Sequence, residues 1–191
     1  MSSSDKEIIL KVLDGDVRAF GALVEKHSAK AMTLAYKILR NREDAEEALQ
    51  DAFVRIYRAL PSFEWKSSFS TWLYRIVYNT CVTAAGRKER HYQVSLDRDD
   101  EDSVPIDIAS TELLPDVQVE SDEFAKIVQE EIEKLSPEYG STFTLFTIQE
   151  MSYYEIVEVT GLPLGTIKAR LFRARALLRQ AIIRRMSVDL V

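Results

Sequence analysis

A single cysteine, Cys81, stands in 191 residues, and only two histidines, His27 and His91, accompany it. No internal disulfide is available to Cys81, and these three side chains do not form a set with metal-ligand spacing. A disulfide scaffold is excluded, and no structural zinc, other metal or cofactor is expected. Six glycines and five prolines are few for this length and favour helices. No stretch approaches the roughly 18 consecutive apolar residues that a membrane span requires, and Met1 to Lys11 lacks a basic segment followed by an apolar one. The chain is therefore expected to be cytoplasmic, without membrane insertion. Also missing are a glycine-rich phosphate loop, a nucleophile elbow and a histidine-centred constellation. Hydrolase or transferase chemistry is not expected, and Cys81 reads as a small residue beside a helix core.

What is present is a chain with 46% hydrophobic and 29% charged residues, the balance of a globular protein with a core. Its net charge of -6 conceals an uneven distribution. Residues 1–94 carry 15 Lys and Arg against 12 Asp and Glu, residues 95–123 carry 1 against 11, and residues 124–191 carry 9 against 8. The acidity sits in the middle, and local field rather than total charge governs contact with phosphate. Residues 95–123 include Pro105, Pro115 and the run Asp99-Asp100-Glu101-Asp102, and read as a flexible acidic linker. The expected fold is all-α: a four-helix domain over 1–94, the linker, and a helix-turn-helix domain over 124–191.

Upstream of the linker, Ile8, Ile9, Val12 and Leu13 predict a short first helix, ended by Asp14-Gly15-Asp16. A long second helix runs to about Arg40. In the third, Asp44 to Leu60, the residues Ala45, Ala48, Leu49, Ala52, Phe53, Ile56 and Leu60 recur at three and four and give one buried stripe before Pro61 stops it. A fourth helix from near Ser68 puts Phe69, Trp72, Leu73, Ile76 and Thr80 on a core face. Beyond the linker, Phe124 to Ile132 and Glu138 to about Gln149 predict two more helices.

The next segment carries the strongest local signal. Ser152-Tyr153-Tyr154-Glu155 has the Ser-x-x-Glu spacing of a capping box, opening a helix that ends near Thr160. Gly161 suits a left-handed closing residue, and Pro163 suits the first turn of a following helix. Two helices thus meet through a tight turn, the form of a helix-turn-helix. In the second, Leu164, Ile167, Leu171, Ala174 and Leu178 face inward. From Leu164 to Arg185 it carries seven basic residues and no acidic one.

Opposite Leu171 lie Gly165, Ala169, Phe172, Arg173 and Ala176. These are mostly small residues, which permit close approach to a groove. Arg173 could grip guanine with two hydrogen bonds while Ala169 and Phe172 meet a thymine methyl, and Lys168, Arg170 and Arg175 could hold phosphates. The competing interpretation is a solvated basic helix with Phe172 packed on a neighbouring domain.

In the N-terminal half, the face of the fourth helix opposite Trp72 and Ile76 carries Thr71, Tyr74, Arg75 and Tyr78. It follows a loop holding Phe63, Trp65 and Lys66. Aromatics interleaved with cations can stack bases and neutralise their backbone, although tyrosines on a helix flank also pack against neighbours. On the third helix Glu47, Gln50, Asp51, Val54 and Arg58 form a polar strip suited to a protein interface. The acidic residues at its start also complement the helix dipole, which needs no function.

Asp44-Ala45-Glu46-Glu47-Ala48-Leu49-Gln50-Asp51-Ala52-Phe53, Tyr57-Arg58-Ala59-Leu60, Phe63 and Phe69-Ser70-Thr71-Trp72-Leu73-Tyr74-Arg75-Ile76 resemble region two of extracytoplasmic-function sigma factors of the sigma-70 family. Tyr154-Glu155-Ile156, Gly161-Leu162-Pro163-Leu164-Gly165-Thr166-Ile167-Lys168 and Arg170-Leu171-Phe172-Arg173-Ala174-Arg175 resemble region four. The resemblance spans nearly the whole chain. It implies a non-enzymatic factor that binds core RNA polymerase, directs it to promoter DNA and helps melt the start site.

By matching motif, Asp44, Glu47, Gln50 and Asp51 would dock on the clamp coiled coil of the largest polymerase subunit. Phe63 and the loop through Trp65 and Lys66 to Ser68, with Trp72, Tyr74, Arg75 and Asn79, would engage the minus-ten element. Lys168, Ala169, Arg170, Phe172, Arg173 and Arg175 would meet the minus-thirty-five element. The linker would pass toward the RNA exit path, and an anti-sigma factor is an expected partner. Glu64-Trp65-Lys66 departs from the basic residue, glycine and acidic residue common in the family, and Ala169 stands where serine is common. The main alternative is a helix-turn-helix regulator that binds an operator as a dimer, for which no clear dimer seam or ligand pocket is visible. A second alternative is an interaction-only protein with no DNA sequence preference.

Overall fold

The computed structural model describes residues 4–93 and 122–188. The proposed linker lies outside the described residues except for Asp122 and Glu123, which begin a helix. Among the described residues the architecture is all-α, with α1 (Asp5–Leu13), α2 (Ala19–Leu39), α3 (Arg42–Ala59), α4 (Phe69–Gln93), α5 (Asp122–Lys134), α6 (Pro137–Thr147), α7 (Tyr153–Thr160) and α8 (Leu164–Val188). A 3-10 turn at Leu60–Ser62, containing Pro61, stands between α3 and the loop leading to α4.

The helix ends follow from local chemistry. Ser4 and Glu7 form a capping box at α1. After α1, Gly15 takes a φ of 100°, the left-handed region in which a glycine carries no Cβ penalty. Asp16 Oδ1 then accepts the amides of Arg18 and Ala19 and starts α2. Asn41, whose side chain accepts from the Asp44 amide at 3.0 Å, caps α3, so that helix starts at Arg42, ahead of the expected Asp44.

Ala45, Ala48, Leu49, Ala52, Phe53 and Ile56 of α3 are buried, as the stripe requires. They join Leu23 and Leu34 of α2 and Leu73 and Val77 of α4. Full burial of a Leu or Ile side chain contributes about 1.5–3 kcal/mol. The same apolar cluster continues without interruption into Leu145 of α6, Ile156 and Val159 of α7, and Ile167 and Leu171 of α8. Residues 94–121, outside the described ones, separate the helices in chain order into two groups, α1–α4 and α5–α8, and both share this one core, with α2 on α6 and α4 on α7.

Candidate nucleic-acid interface

The unit α7–turn–α8 is fixed at both ends of its first helix. Ser152 Oγ accepts from the Glu155 amide at 3.3 Å, and Glu155 Oε2 accepts from the Ser152 amide at 2.9 Å. The Ser152 backbone and hydroxyl hold the Glu155 carboxyl below its ordinary range. At the far end Gly161 closes α7 with a φ of 72°, its amide donating to the Val157 carbonyl. The Pro163 carbonyl receives the Ile167 amide at 3.1 Å, so α8 begins directly after the Gly161-Leu162-Pro163 turn.

Once started, α8 has two unlike faces. Ile167, Leu171 and Ala174 are fully buried. Gly165, Lys168, Ala169, Phe172, Arg173 and Ala176 are exposed, Phe172 at 44%. The small residues leave the backbone of α8 accessible, and the Arg173 guanidinium donates to the Tyr139 hydroxyl at 3.4 Å while remaining at the surface. Two expected phosphate ligands are engaged inside the protein. Arg170 pairs with Glu138 at 3.1 Å and with the Tyr78 phenol, its side chain only 19% exposed. Arg175 lies over the Phe146 ring at 5.1 Å. Both sit on the flanks of α8, where α6 offers a carboxylate and a ring.

In the N-terminal group, Phe63 is buried among Trp65, Trp72 and Phe69, with ring centroids at 4.8, 5.0 and 5.8 Å. Trp65 is 44% exposed and has a φ of 59°. Its left-handed backbone falls at the position where the resemblance expects glycine. Lys66 pairs with Glu64 at 2.5 Å at the surface. Ser68 Oγ accepts the Thr71 amide at 3.0 Å and opens α4. Along α4, Trp72 is half-buried, and Arg75 and Asn79, on the same side at helical spacing, are exposed.

Tyr74 corrects the expectation of an exposed stacking face. It is 2% exposed, as is Thr71, and burial pushes its phenol above the ordinary range. On either side of it along the same face, Thr71 Oγ1 donates to Glu155 Oε1 of α7 at 3.2 Å, and Tyr78 meets Arg170 of α8. The Thr71, Tyr74 and Tyr78 side of α4 is an interface between the helix groups.

On α3, Glu47, Gln50, Asp51, Val54 and Arg58 are exposed as a strip. Asp44, Glu47, Gln50 and Asp51 line a groove of about 520 Å³, walled on the α4 side by Thr80, Thr83 and Arg87. Asp44 is ion-paired with Lys88 across the groove, and Asp51 with Arg55 at 3.1 Å on its own helix.

Residues 23–91 match the family model for sigma-70 region 2, and residues 125–178 match that for sigma-70 region 4. The chain is 34% identical to the ECF RNA polymerase sigma factor SigW of Bacillus subtilis (strain 168), over 92% of this chain and 95% of that protein. The chain belongs to the ECF sigma factors.

Other sigma factors match over a similar extent. The ECF RNA polymerase sigma-E factor of Haemophilus influenzae is 30% identical over 94% of this chain and 95% of its own length. Among solved structures, CnrH in complex with the cytosolic domain of CnrY superposes with a TM-score of 0.63 at 25% identity, covering 95% of this chain and 99% of that one. The sigma factor RpoE of Bartonella quintana, in complex with the anti-sigma factor NepR, shares the fold with a TM-score of 0.61 at 23% identity, over 87% of this chain and 98% of that chain.

In this sigma factor the region 2 match ends within α4 and the region 4 match begins in α5. Sequence reasoning missed the residues that join the two helix groups. Lys37, Glu155 and Arg170 each reach across. Glu155 and Arg170 carry sequence signals, but those signals concern a helix cap and a phosphate contact, and Lys37 carries none.

Proposed function

We propose that this ECF sigma factor binds core RNA polymerase, brings it to promoters and assists strand opening, acting as a binding subunit without catalysis of its own, in the cytoplasm where the polymerase works. The observation that carries the reading is the outward face of α8, where Lys168, Ala169, Phe172 and Arg173 stand exposed on the second helix of a capped helix-turn-helix. That face enters the major groove of the minus-thirty-five element: Arg173 reads a base edge, Ala169 and Phe172 make apolar contact, and Lys168 holds a phosphate. Arg170 and Arg175 join it once they leave Glu138 and Phe146.

The minus-ten element is met by Trp65, Lys66, Arg75 and Asn79 at the surface. Phe63 and Trp72 form the aromatic bed beneath them, and Tyr74, buried in the shared core, does not reach the DNA in this arrangement. The groove edge of Asp44, Glu47, Gln50 and Asp51 takes the polymerase clamp. Two structural relatives are complexes, one with an anti-sigma factor and one with the cytosolic domain of another protein. An anti-sigma factor is correspondingly proposed as a partner of this chain. The functional division follows residues 1–94 and 124–191, with the acidic stretch between.

Run-off transcription with purified core polymerase tests the reading: initiation from a selected promoter should appear only when this chain is added. A dimeric operator-binding regulator would shift DNA without initiating, and that result would overturn the proposal.

A further inference from the structure

The loop before α4 carries a residue that folding alone does not explain. Trp65 has a φ of 59°, the left-handed region that is costly for a residue with a Cβ, at the position where glycine is common in the family. Its indole leans on the buried Phe63, with ring centroids 4.8 Å apart, yet stays 44% exposed. A glycine would avoid the backbone cost, and a half-exposed ring forgoes much of the gain of burial. Backbone strain kept at a surface points to a use there.

A second element reaches the same ring. Lys6, in the first turn of α1, holds its Nζ over the indole at 6.0 Å from the centroid, the reach of a cation–π contact. The region 2 match begins only at residue 23, so no motif covers Lys6. The charges around it are already engaged: Glu7 is bonded to Ser4, Lys26 pairs with Asp5, and Lys66 pairs with Glu64. Lys6 is exposed, with the ring as its partner.

An exposed ring beside a free ammonium suits an unpaired nucleotide, whose base offers a π face to the indole and whose phosphate offers a charge to the amine. A simple anion would leave the ring unused, and an apolar side chain would leave the amine unused. We infer that Lys6 and Trp65 form a nucleotide step that this chain adds to its minus-ten surface, an addition that rests on the minus-ten reading proposed above. The base stacks on Trp65. Lys6 swings on its flexible stem from the ring face to the adjoining phosphate, which brings α1 into the DNA surface. Because stacking grows with the area of the base, a purine is favoured at that position.

The test uses holoenzyme, assembled from core polymerase and the full chain, on a selected promoter held open by mismatches over the minus-ten element. A fluorescent adenine analogue is moved along each opened strand. The wild type should quench it at one position, and Trp65→Gly should release that quenching. Trp65→Asn, which also tolerates the left-handed backbone, should do the same, and Trp65→Tyr should retain most of the quenching. Lys6→Ala should weaken binding of the opened promoter by about two- to fivefold, the usual strength of an exposed charge pair. It should also reduce the magnitude of the log-log salt slope by about 0.7, one single-strand phosphate, while Lys6→Arg stays near the wild type. Quenching at no position, or quenching that survives both Trp65→Gly and Trp65→Asn, would overturn the stacking. An affinity and salt slope unmoved by Lys6→Ala would overturn the phosphate contact, and a loss of core polymerase binding in that variant would make α1 a protein contact instead. Run-off transcription by the wild type reports separately on the sigma-factor reading.

Discussion

At the scale of single residues, the side chains that matter are those with two possible partners. Arg173 stands at the surface with one hydrogen bond to Tyr139. Replacing it with alanine should cost about 1–3 kcal/mol of promoter-duplex affinity, read by anisotropy on the selected minus-thirty-five sequence, while leaving core polymerase binding intact. Asp51→Ala should do the reverse, and identical losses from both would count against separate surfaces.

Lys37 gives a prediction whose sign is easily mistaken. Burial lowers its amine to about 8, with Arg40 adding to the effect and Glu133 opposing it. Between about 8 and the ordinary value of 10.5 an unfolded chain therefore binds more protons than the folded one. The Lys37 contribution to folded stability should rise with pH through that window and fall as pH drops toward about 8. The difference in unfolding free energy between the wild type and Lys37→Met, read from urea melts across that window, should follow that slope.

Trp65 holds a left-handed backbone that costs a non-glycine residue roughly 1–2 kcal/mol. Its ring contact with Phe63 offsets part of that cost. The departure from glycine was visible in the sequence; the backbone strain it implies was not.

Among the elements, those whose ends are encoded within a few residues were the most legible. Ser152 with Glu155, Gly161 and Pro163 define α7 and the start of α8, and the structure places each in its expected role except for one shift: α8 opens at Leu164, with Pro163 supplying the carbonyl just before it. Ser152→Ala should remove about 1 kcal/mol by loss of the cap, lowering the midpoint of thermal unfolding by roughly 2–4 °C for a chain of this size. Circular dichroism melting measures it. The stripe on α3 was equally clear, because a buried face repeats at three and four. The start of α3 was less so: Asn41 caps it, and the acidic run after Arg42 drew attention to Asp44 instead. On α8 the outward set was legible, but not the inward turn of Arg170 and Arg175, because Glu138 and Phe146 belong to a helix the local pattern cannot see.

On the scale of the whole molecule, the sequence indicated two helical groups and not their contact. Thr71, Tyr74 and Tyr78 look like a solvent face because their hydroxyls are polar, yet Thr71 finds its acceptor 84 residues away. No periodicity within α4 encodes a partner at that distance. Charge behaves likewise: the total of -6 conceals the basic run of α8, which carries the proposed contact with phosphate. Duplex affinity should therefore fall steeply with salt, and Lys168→Ala should reduce the magnitude of the log-log slope by about one, weakening all sequences alike. A variant that changed sequence preference instead would place Lys168 on a base.

The Glu155 carboxylate divides its oxygens between two tasks. Oε2 closes the loop of bonds with Ser152, and Oε1 receives Thr71 from the other helix group. If the groups part, Oε1 can take water in place of the threonine while Oε2 stays where it was. The cap of α7 thus closes on itself and does not depend on its neighbour, so the proposed promoter-reading motif is assembled by its own bonds.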